Sequence, residues 1–485
     1  MVTKMKGYVP KEERKKILLL CDDIRTHSGI GTIAKEIVIH TAHKYNWVQL
    51  GAAIQHPEAG KRLDLSQSTN ELLGIDDTSI IVYPNDGYGH PDQIRQLIKN
   101  EKPDAIFLFT DPRYWTWLFQ IENEIRKQIP IVYLNIWDDY PAPMYNKEYY
   151  ESCDLLMGIS KQTVNINNLV LGDKAKGKII SYVPHGLNHM IHKPMDKSNE
   201  RYDEFVKFKK DLFQGKDIDF AVFFNSRNIR RKQVPDTIWA YKEFADKLPL
   251  EKAQKCALLL KTHAVDQNGT DLPAVIEMLC GNNSEGRYNI FFHDQRIDTE
   301  QMAWLYNCTD VQIQLTSNEG WGLSLTEALL AGNPIIANVT GGMQDQMRFE
   351  NEYGDWFTPD DRIPSNNTGT YKKHAPWAFP VFPASRSIQG SPATPYIWDD
   401  RCKPEDAAEQ ILKVYNLGKE ERQKIGKLAR EWAMSDEAGF TSEKMSYRVI
   451  DNIDELFKTW TPRKKYELIK TGERKARVAP HNLIY

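Results

Sequence analysis

The chain has 485 residues, 41% of them apolar, with 12 Trp and 22 Tyr. That excludes a disordered protein and is too long for one compact core, so two or three domains are expected. A formal charge of −3 excludes a polycation as a whole, and any anionic partner would have to be met by a local basic patch.

The elements read as follows in chain order. Ile17 to Asp23 (ILLLCDD) is apolar and then abruptly acidic, as in a buried parallel strand ending at a loop. A helically spaced stretch, IGTIAKEIVIHTA, comes next. Strand-like runs recur at Ala105–Phe109, Ile131–Trp137, Leu155–Ser160 and Lys178–Gly186, mostly with helical segments between them. Alternation of this kind predicts a parallel sheet covered on both faces.

Residues 190 to 215 turn polar and charged and read as a linker. The alternation restarts at Phe220–Ser226. Val234, Ile238, Tyr241, Ala245 and Leu248 then fall on one helix face. Further strands are expected at Ala257–Lys261, Asn289–His293, Val311–Leu315 and Pro334–Asn338. The expected division is an N-terminal domain over 1–195 and a C-terminal domain over 205–430, with ligands in the cleft between them. A helix at about 438–460 is expected to pack back on the first domain. Residues 359–399 hold seven prolines plus Tyr371, Trp377, Phe379, Phe382, Tyr396 and Trp398. They read either as an inserted functional loop or as a clamp packed on the domain surface.

Cys21, Cys153, Cys256, Cys280, Cys308 and Cys402 contain no closely spaced pair, so reduced thiols are expected. The first residues lack the apolar core of a signal peptide, and no run approaches 18 apolar residues. A cytoplasmic location is the expectation.

The densest chemistry lies in Ser317–Asn338 (SNEGWGLSLTEALLAGNPIIAN), at an expected strand-to-helix turn. Gly320 and Gly322 allow backbone N–H groups to approach a phosphate at a helix N-terminus. Glu319 and Glu327, eight positions apart, are able to accept hydrogen bonds from sugar hydroxyls. Geometry alone leaves open a plain helix cap with one surface glutamate.

Ser317, Glu319, Gly320, Gly322, Leu323, Glu327, Ala328, Gly332, Pro334, Gly341 and Gly342 resemble the signature of glycosyltransferase family 4 and its GT-B relatives. Trp321 stands where the family usually has Phe. The resemblance implies a GT-B α/β fold, two Rossmann-like domains facing across a cleft. It also implies transfer of a sugar from a nucleoside-diphosphate sugar, a UDP-sugar in the first instance, with retention at the anomeric carbon and no metal or other cofactor. Glu327 would hold the nucleotide ribose and Glu319 a donor-sugar hydroxyl.

Arg227 and Lys232 in NSRNIRRKQ fall where the family holds the donor diphosphate, although Arg230 and Arg231 leave open which cation meets which phosphate. Preorganised cations stabilise the charge that develops on such a leaving group. Gly29 and Gly31 in SGIGTIA match a family loop near the donor, and Leu323 and Trp321 complete the expected donor site. His185 matches a hinge-proximal loop and reads as structural. Trp137 and Asp138 depart from the family, many of whose members carry His there. Asp138 is therefore an expected contact to sugar or acceptor, or a helix cap.

The acceptor is the least constrained element. The first sixteen residues carry six Lys/Arg against two Glu, and residues 461–480 carry seven against two. These read as solvated tails or as contacts to a polyanion, DNA in particular. LLLCDDIRTHSGIGTIAKEI and WAFPVFPASRSIQGSPATPYIWDD also loosely resemble bacteriophage glycosyltransferases that modify hydroxylated cytosines in DNA. That implies glucosyl or arabinosyl transfer in the host cytoplasm, with the base extruded and Trp377 and Phe379 as acceptor contacts. Competing readings are a family-4-like enzyme acting on a glycan, lipid carrier or protein, a GT-B nucleotide-sugar epimerase, and a non-enzymatic nucleotide- or nucleic-acid-binding protein.

Overall fold

The computed structural model describes residues 7–55, 57–281, 283–361 and 367–464. Most of the basic C-terminal stretch, and the first six residues, lie outside that set.

Two parallel sheets organise the chain. The first is built from β1 (Lys15–Asp22), β2 (Tyr45–Ala52), β3 (Leu63–Asp64), β4 (Ile80–Pro84), β5 (Ala105–Leu108), β6 (Ile131–Asn135), β7 (Leu155–Gly158) and β8 (Ile179–Tyr182). Its order is β3-β4-β2-β1-β5-β6-β7-β8, parallel throughout except that β3 runs antiparallel to β4. The second sheet contains β9 (Phe220–Asn225), β10 (Cys256–Lys261), β11 (Ile290–Phe292), β12 (Val311–Gln314), β13 (Ile335–Asn338) and β14 (Ala378–Val381). Its order is β11-β10-β9-β12-β13-β14, all parallel. The strands are apolar on both faces because helices cover both. Leu18, Leu20, Val222 and Leu258 are fully buried, as are their alternates Ile17, Phe223 and Leu259. The strand order reverses beside β1 in one sheet and beside β9 in the other. The carboxyl ends of both sheets face the crevice where ligands of doubly wound sheets bind.

The last helix, Ser442–Thr459, lies on the first helix, Gly29–Thr41, of the N-terminal unit. Ser442 Oγ donates to Glu36 at 2.6 Å, and Tyr45 Oη donates to Asp454 at 2.8 Å.

Three kinds of difference from the sequence reading stand out. The charged stretch read as a linker contains a helix, Tyr202–Leu212, which buries Phe205 and leaves its lysines outside. β2 and β4 were not evident as strands. Buried Gln49 interrupts the apolar run of β2, and its amide donates to the Asp22 carbonyl at 2.9 Å.

The third difference is the largest. Within 359–399, the residues from 378 onward are mostly regular structure and not loop. They supply β14 and most of a hairpin, β15 (Ser385–Ser391) and β16 (Thr394–Arg401). Pro380 is tolerated in β14 because that strand forms the sheet edge. Trp377 is only 5% exposed. Its ring lies 5.1 Å from that of Trp432, and its indole N–H donates to the Gln346 carbonyl at 3.3 Å. Phe379 sits on β14 opposite Ile336 and packs on the C-terminal core. Neither ring projects as a stacking platform, so the expectation that they meet the acceptor is corrected. Trp377→Ala is expected to cost about 3–5 kcal/mol, read as a lowered urea midpoint. A midpoint equal to that of the parent would return Trp377 to the surface.

Candidate active site

The turn after β12 is the centre of the cleft. Gly322, at φ 87°, precedes the helix Leu323–Ala331 in a conformation that side chains disfavour. Gly320 approaches the N-terminal unit so closely that a Cβ there would lie 2.6 Å from the Ile136 carbonyl oxygen. That approach lets the Gly320 N–H donate to Asp138 Oδ1 at 2.9 Å, across the cleft.

Glu319, one residue earlier, accepts from the Lys232 ammonium and from Arg231 Nη1 at 3.1 Å. Arg231 Nη1 also donates to the Asn318 carbonyl at 2.8 Å. Burial opposes the charge on Glu319, but Lys232 and Arg231 outweigh it and hold its carboxyl below the usual glutamate range. Burial likewise works against Arg231, and Asp138 and Glu319 reverse the effect and raise it further. Lys232 is pulled down by burial despite Glu319. Burial raises Asp138, with Arg231 acting in the opposite sense. Lys232 and Arg231 thus face two carboxylates, Glu319 and Asp138, in a site shielded from water.

Glu327 lies farther along the helix. Its Oε2 accepts from the Tyr306 hydroxyl and from Asn225 Nδ2 at 3.2 Å. Asn225 is the last residue of β9, so the carboxyl ends of β9 and β12 both feed the site.

The remaining sequence-derived positions divide. Gly29 begins the first helix, and a Cβ on it would lie 3.3 Å from Leu323 Cδ1, so these two meet across the cleft. Gly31 donates its N–H to the Ser28 cap at 3.0 Å and packs on Thr26. The Trp321 ring is 2% exposed, packs on Phe440 and His185, and donates to Thr326 Oγ1 at 2.9 Å. Its side chain therefore belongs to the core, and the cleft sees its backbone. Arg227 is exposed and pairs with Asp266 at 2.9 Å, away from Glu319. The cation beside Lys232 is Arg231. His185 lies between Phe109 and Trp321 and is pushed down to about 3 by burial, so it stays neutral.

A buried polar seam, not evident in the sequence, continues from Asp138. The Thr340 hydroxyl is 3.1 Å from Asp139 Oδ2 and 3.0 Å from Asp400 Oδ2, joining the N-terminal unit to β16. Both carboxyls are fully or almost fully buried. Burial, and then Asp400, raise Asp139 well above the ordinary aspartate value.

Among the described residues, no group of three or more His, Cys, Asp or Glu side chains is placed to hold a metal ion. Also among them, no helix is long and apolar enough to cross a membrane.

No protein-family model and no curated protein matches the sequence. Solved structures match over nearly the whole chain. HepE from Anabaena, in complex with UDP and glucose, aligns with a TM-score of 0.61 at 15% identity, covering 91% of this chain and 100% of its own. A glycosyltransferase from Rickettsia africae aligns at 0.61 and 14%, covering 92% and 100%. Sucrose-phosphate synthase from Thermosynechococcus elongatus aligns at 0.61 and 15%, covering 92% and 100%. At such identities the likeness defines the fold, which is the GT-B arrangement of two Rossmann-like domains.

The Asp139 carboxyl gives a pH signature. Its proton favours the folded state fully below about the unfolded value of 3.8, and that contribution is lost as pH rises toward the raised folded value. Asp139→Asn is expected to flatten the decline of Tm with rising pH above 4. An unchanged slope would show that Asp139 is ionised in the fold.

Proposed function

We propose that the protein is a glycosyltransferase that moves a sugar from a nucleoside-diphosphate sugar to a hydroxyl acceptor. The observation that carries this reading is the convergence of Lys232 and Arg231 on Glu319 at a helix-opening glycine turn in the cleft of a GT-B fold. Lys232 and Arg231 beside the glycine turn that opens a helix suit a departing diphosphate, whose charge grows as the sugar bond breaks. Glu327, on the helix after β12 and held by Asn225 at the end of β9, suits the ribose, and Glu319 a donor-sugar hydroxyl.

UDP is the proposed nucleotide, since HepE of the same fold binds UDP and UDP-glucose. Retention is proposed from the family-4-like motif. The anomeric carbon–oxygen bond to the diphosphate breaks, the acceptor oxygen bonds on the same face, and its proton passes to the departing phosphate oxygen. The core mechanism on this reading uses no metal. All six cysteines are free, which suits a reducing cytoplasm.

The proposed acceptor is a hydroxylated cytosine in DNA. Support comes from the loose phage-like resemblance and from the basic sequence at both ends, most of which lies outside the described residues. It no longer includes Trp377 or Phe379. A glycan, lipid carrier or protein hydroxyl is the alternative, and the epimerase reading is separated by stoichiometric release of nucleoside diphosphate.

Lys232→Ala and Glu327→Ala are each expected to cut turnover by roughly 100-fold or more, measured as nucleoside diphosphate released on transfer. Near-parental rates in both would place the donor elsewhere. Nucleoside mass spectrometry after incubation with pooled nucleotide sugars and DNA is expected to show a pentose or hexose added only to hydroxylated cytosine. Release of nucleoside diphosphate without added mass would exclude the DNA acceptor and leave transfer itself standing.

A further inference from the structure

Beside the Glu319 cluster, a cavity of about 340 Å³ opens between the carboxyl ends of β5 and β6, Arg231, and the tip of the β15–β16 hairpin. It shares Asp138 and Arg231 with the candidate active site. A group seated there is next to the reacting end of any donor held by Lys232 and Glu319.

The wall selects by charge. Each guanidinium lining it is already paired. Arg113 is held by Asp111, with Nε 2.8 Å from Oδ1, and Arg231 is held by Glu319. The cavity therefore has little pull on a phosphate and suits an uncharged ligand.

The wall still offers both donors and acceptors. Among the described residues, Arg113 Nη1 and Asp138 Oδ2 make no hydrogen bond. The Tyr133 hydroxyl is wholly buried and has no partner. A buried hydroxyl left unpaired is costly, and a ligand that meets it recovers that cost. Stacking contributes little inside, because Arg113 covers the Trp137 ring at 6.0 Å and the Trp137 indole is engaged with the Asp139 carbonyl. Recognition is by the polar edge of a ring. The volume lies near the lower end of small-molecule sites, enough for one substituted ring.

The hairpin wall is preformed. Trp398 N–H donates to the Tyr140 carbonyl at 2.7 Å, and Tyr145 Oη donates to the Tyr396 carbonyl at 2.8 Å. Ser391 and Thr394 at the tip line the cavity, and Ser391 is otherwise exposed.

We propose that this cavity is the acceptor subsite, that it takes a single uncharged ring bearing hydroxyl groups, and that Arg113, Tyr133 and the hairpin tip select that ring. The proposal rests on the glycosyltransferase reading. A free sugar and a hydroxylated base presented by a nucleic acid both supply this chemistry.

Ser391→Trp fills the cavity from an exposed position, and Tyr133→Phe removes only the unpaired hydroxyl. Each variant is compared with the parent for UDP-glucose affinity, for slow UDP release without acceptor, and for transfer to two probes. The probes are a pool of free monosaccharides and a duplex carrying 5-hydroxymethylcytosine. Expected are a tenfold or greater loss of transfer in Ser391→Trp and a three- to tenfold rise in acceptor KM in Tyr133→Phe. UDP-glucose affinity and acceptor-free UDP release stay within twofold, and the probe that accepts sugar identifies the source of the ring. Transfer within twofold of the parent in both variants overturns the assignment, as does a matching loss of UDP-glucose affinity, which would give the cavity to the donor. A parent that binds UDP-glucose and glycosylates neither probe overturns the single-ring assignment while leaving the glycosyltransferase reading intact. A parent that does not bind UDP-glucose overturns both.

Discussion

The site depends on a carboxylate removed from water. Glu319 keeps its charge in the cleft only because Lys232 and Arg231 reach it. Both cations come from the loop after β9, and Glu319 comes from the turn after β12, so this ion cluster ties together the two central strands of the C-terminal sheet. A buried charge stripped of its partners is costly, which fixes the loop conformation that brings the cations there. The same arrangement sets Lys232 and Arg231 in the crevice where the two sheets present their carboxyl ends.

Contact between the halves is polar and close. Asp138 takes the Gly320 N–H, Thr340 bridges Asp139 and Asp400, and the Lys161 N–H donates to Asp345 at 2.9 Å. A Cβ at Gly341 would lie 2.9 Å from the Asp138 carbonyl oxygen, and one at Gly342 would lie 3.0 Å from Ser160 Cβ. Small residues along this line let the two units approach closely. The hairpin adds a second clamp to residues 140–145, so this side of the cleft is walled by the C-terminal domain.

Two parallel α/β units were legible because strands covered on both faces read as continuous apolar runs, as in ILLLC and FAVFF, while the GT-B arrangement was implied by the resemblance to glycosyltransferase family 4. Strands that carry a working polar residue, such as Gln49 in β2, did not read that way. Residues 359–399 misled because proline marks loops. Pro380 lies on a sheet edge, where a missing N–H costs little, and Trp377 completes the core instead of facing solvent. In the site, the resemblance of Ser317–Asn338 and NSRNIRRKQ to glycosyltransferase family 4 brought Glu319, Glu327, Gly320 and Lys232 into view. The choice between Arg227 and Arg231 was not legible. It turns on a short helical turn at Arg230–Lys232 that directs neighbouring basic side chains differently, and on Asp266 capturing Arg227. The Asp139–Thr340–Asp400 seam joins residues distant in sequence and leaves no local signature.

The most direct test of the donor site is a crystal structure of the chain with bound UDP. The diphosphate is expected within hydrogen-bond reach of Lys232 or Arg231, with the ribose on Glu327. UDP bound elsewhere on the chain, or no saturable binding of UDP, would contradict the assignment of this cleft to a nucleotide-sugar donor.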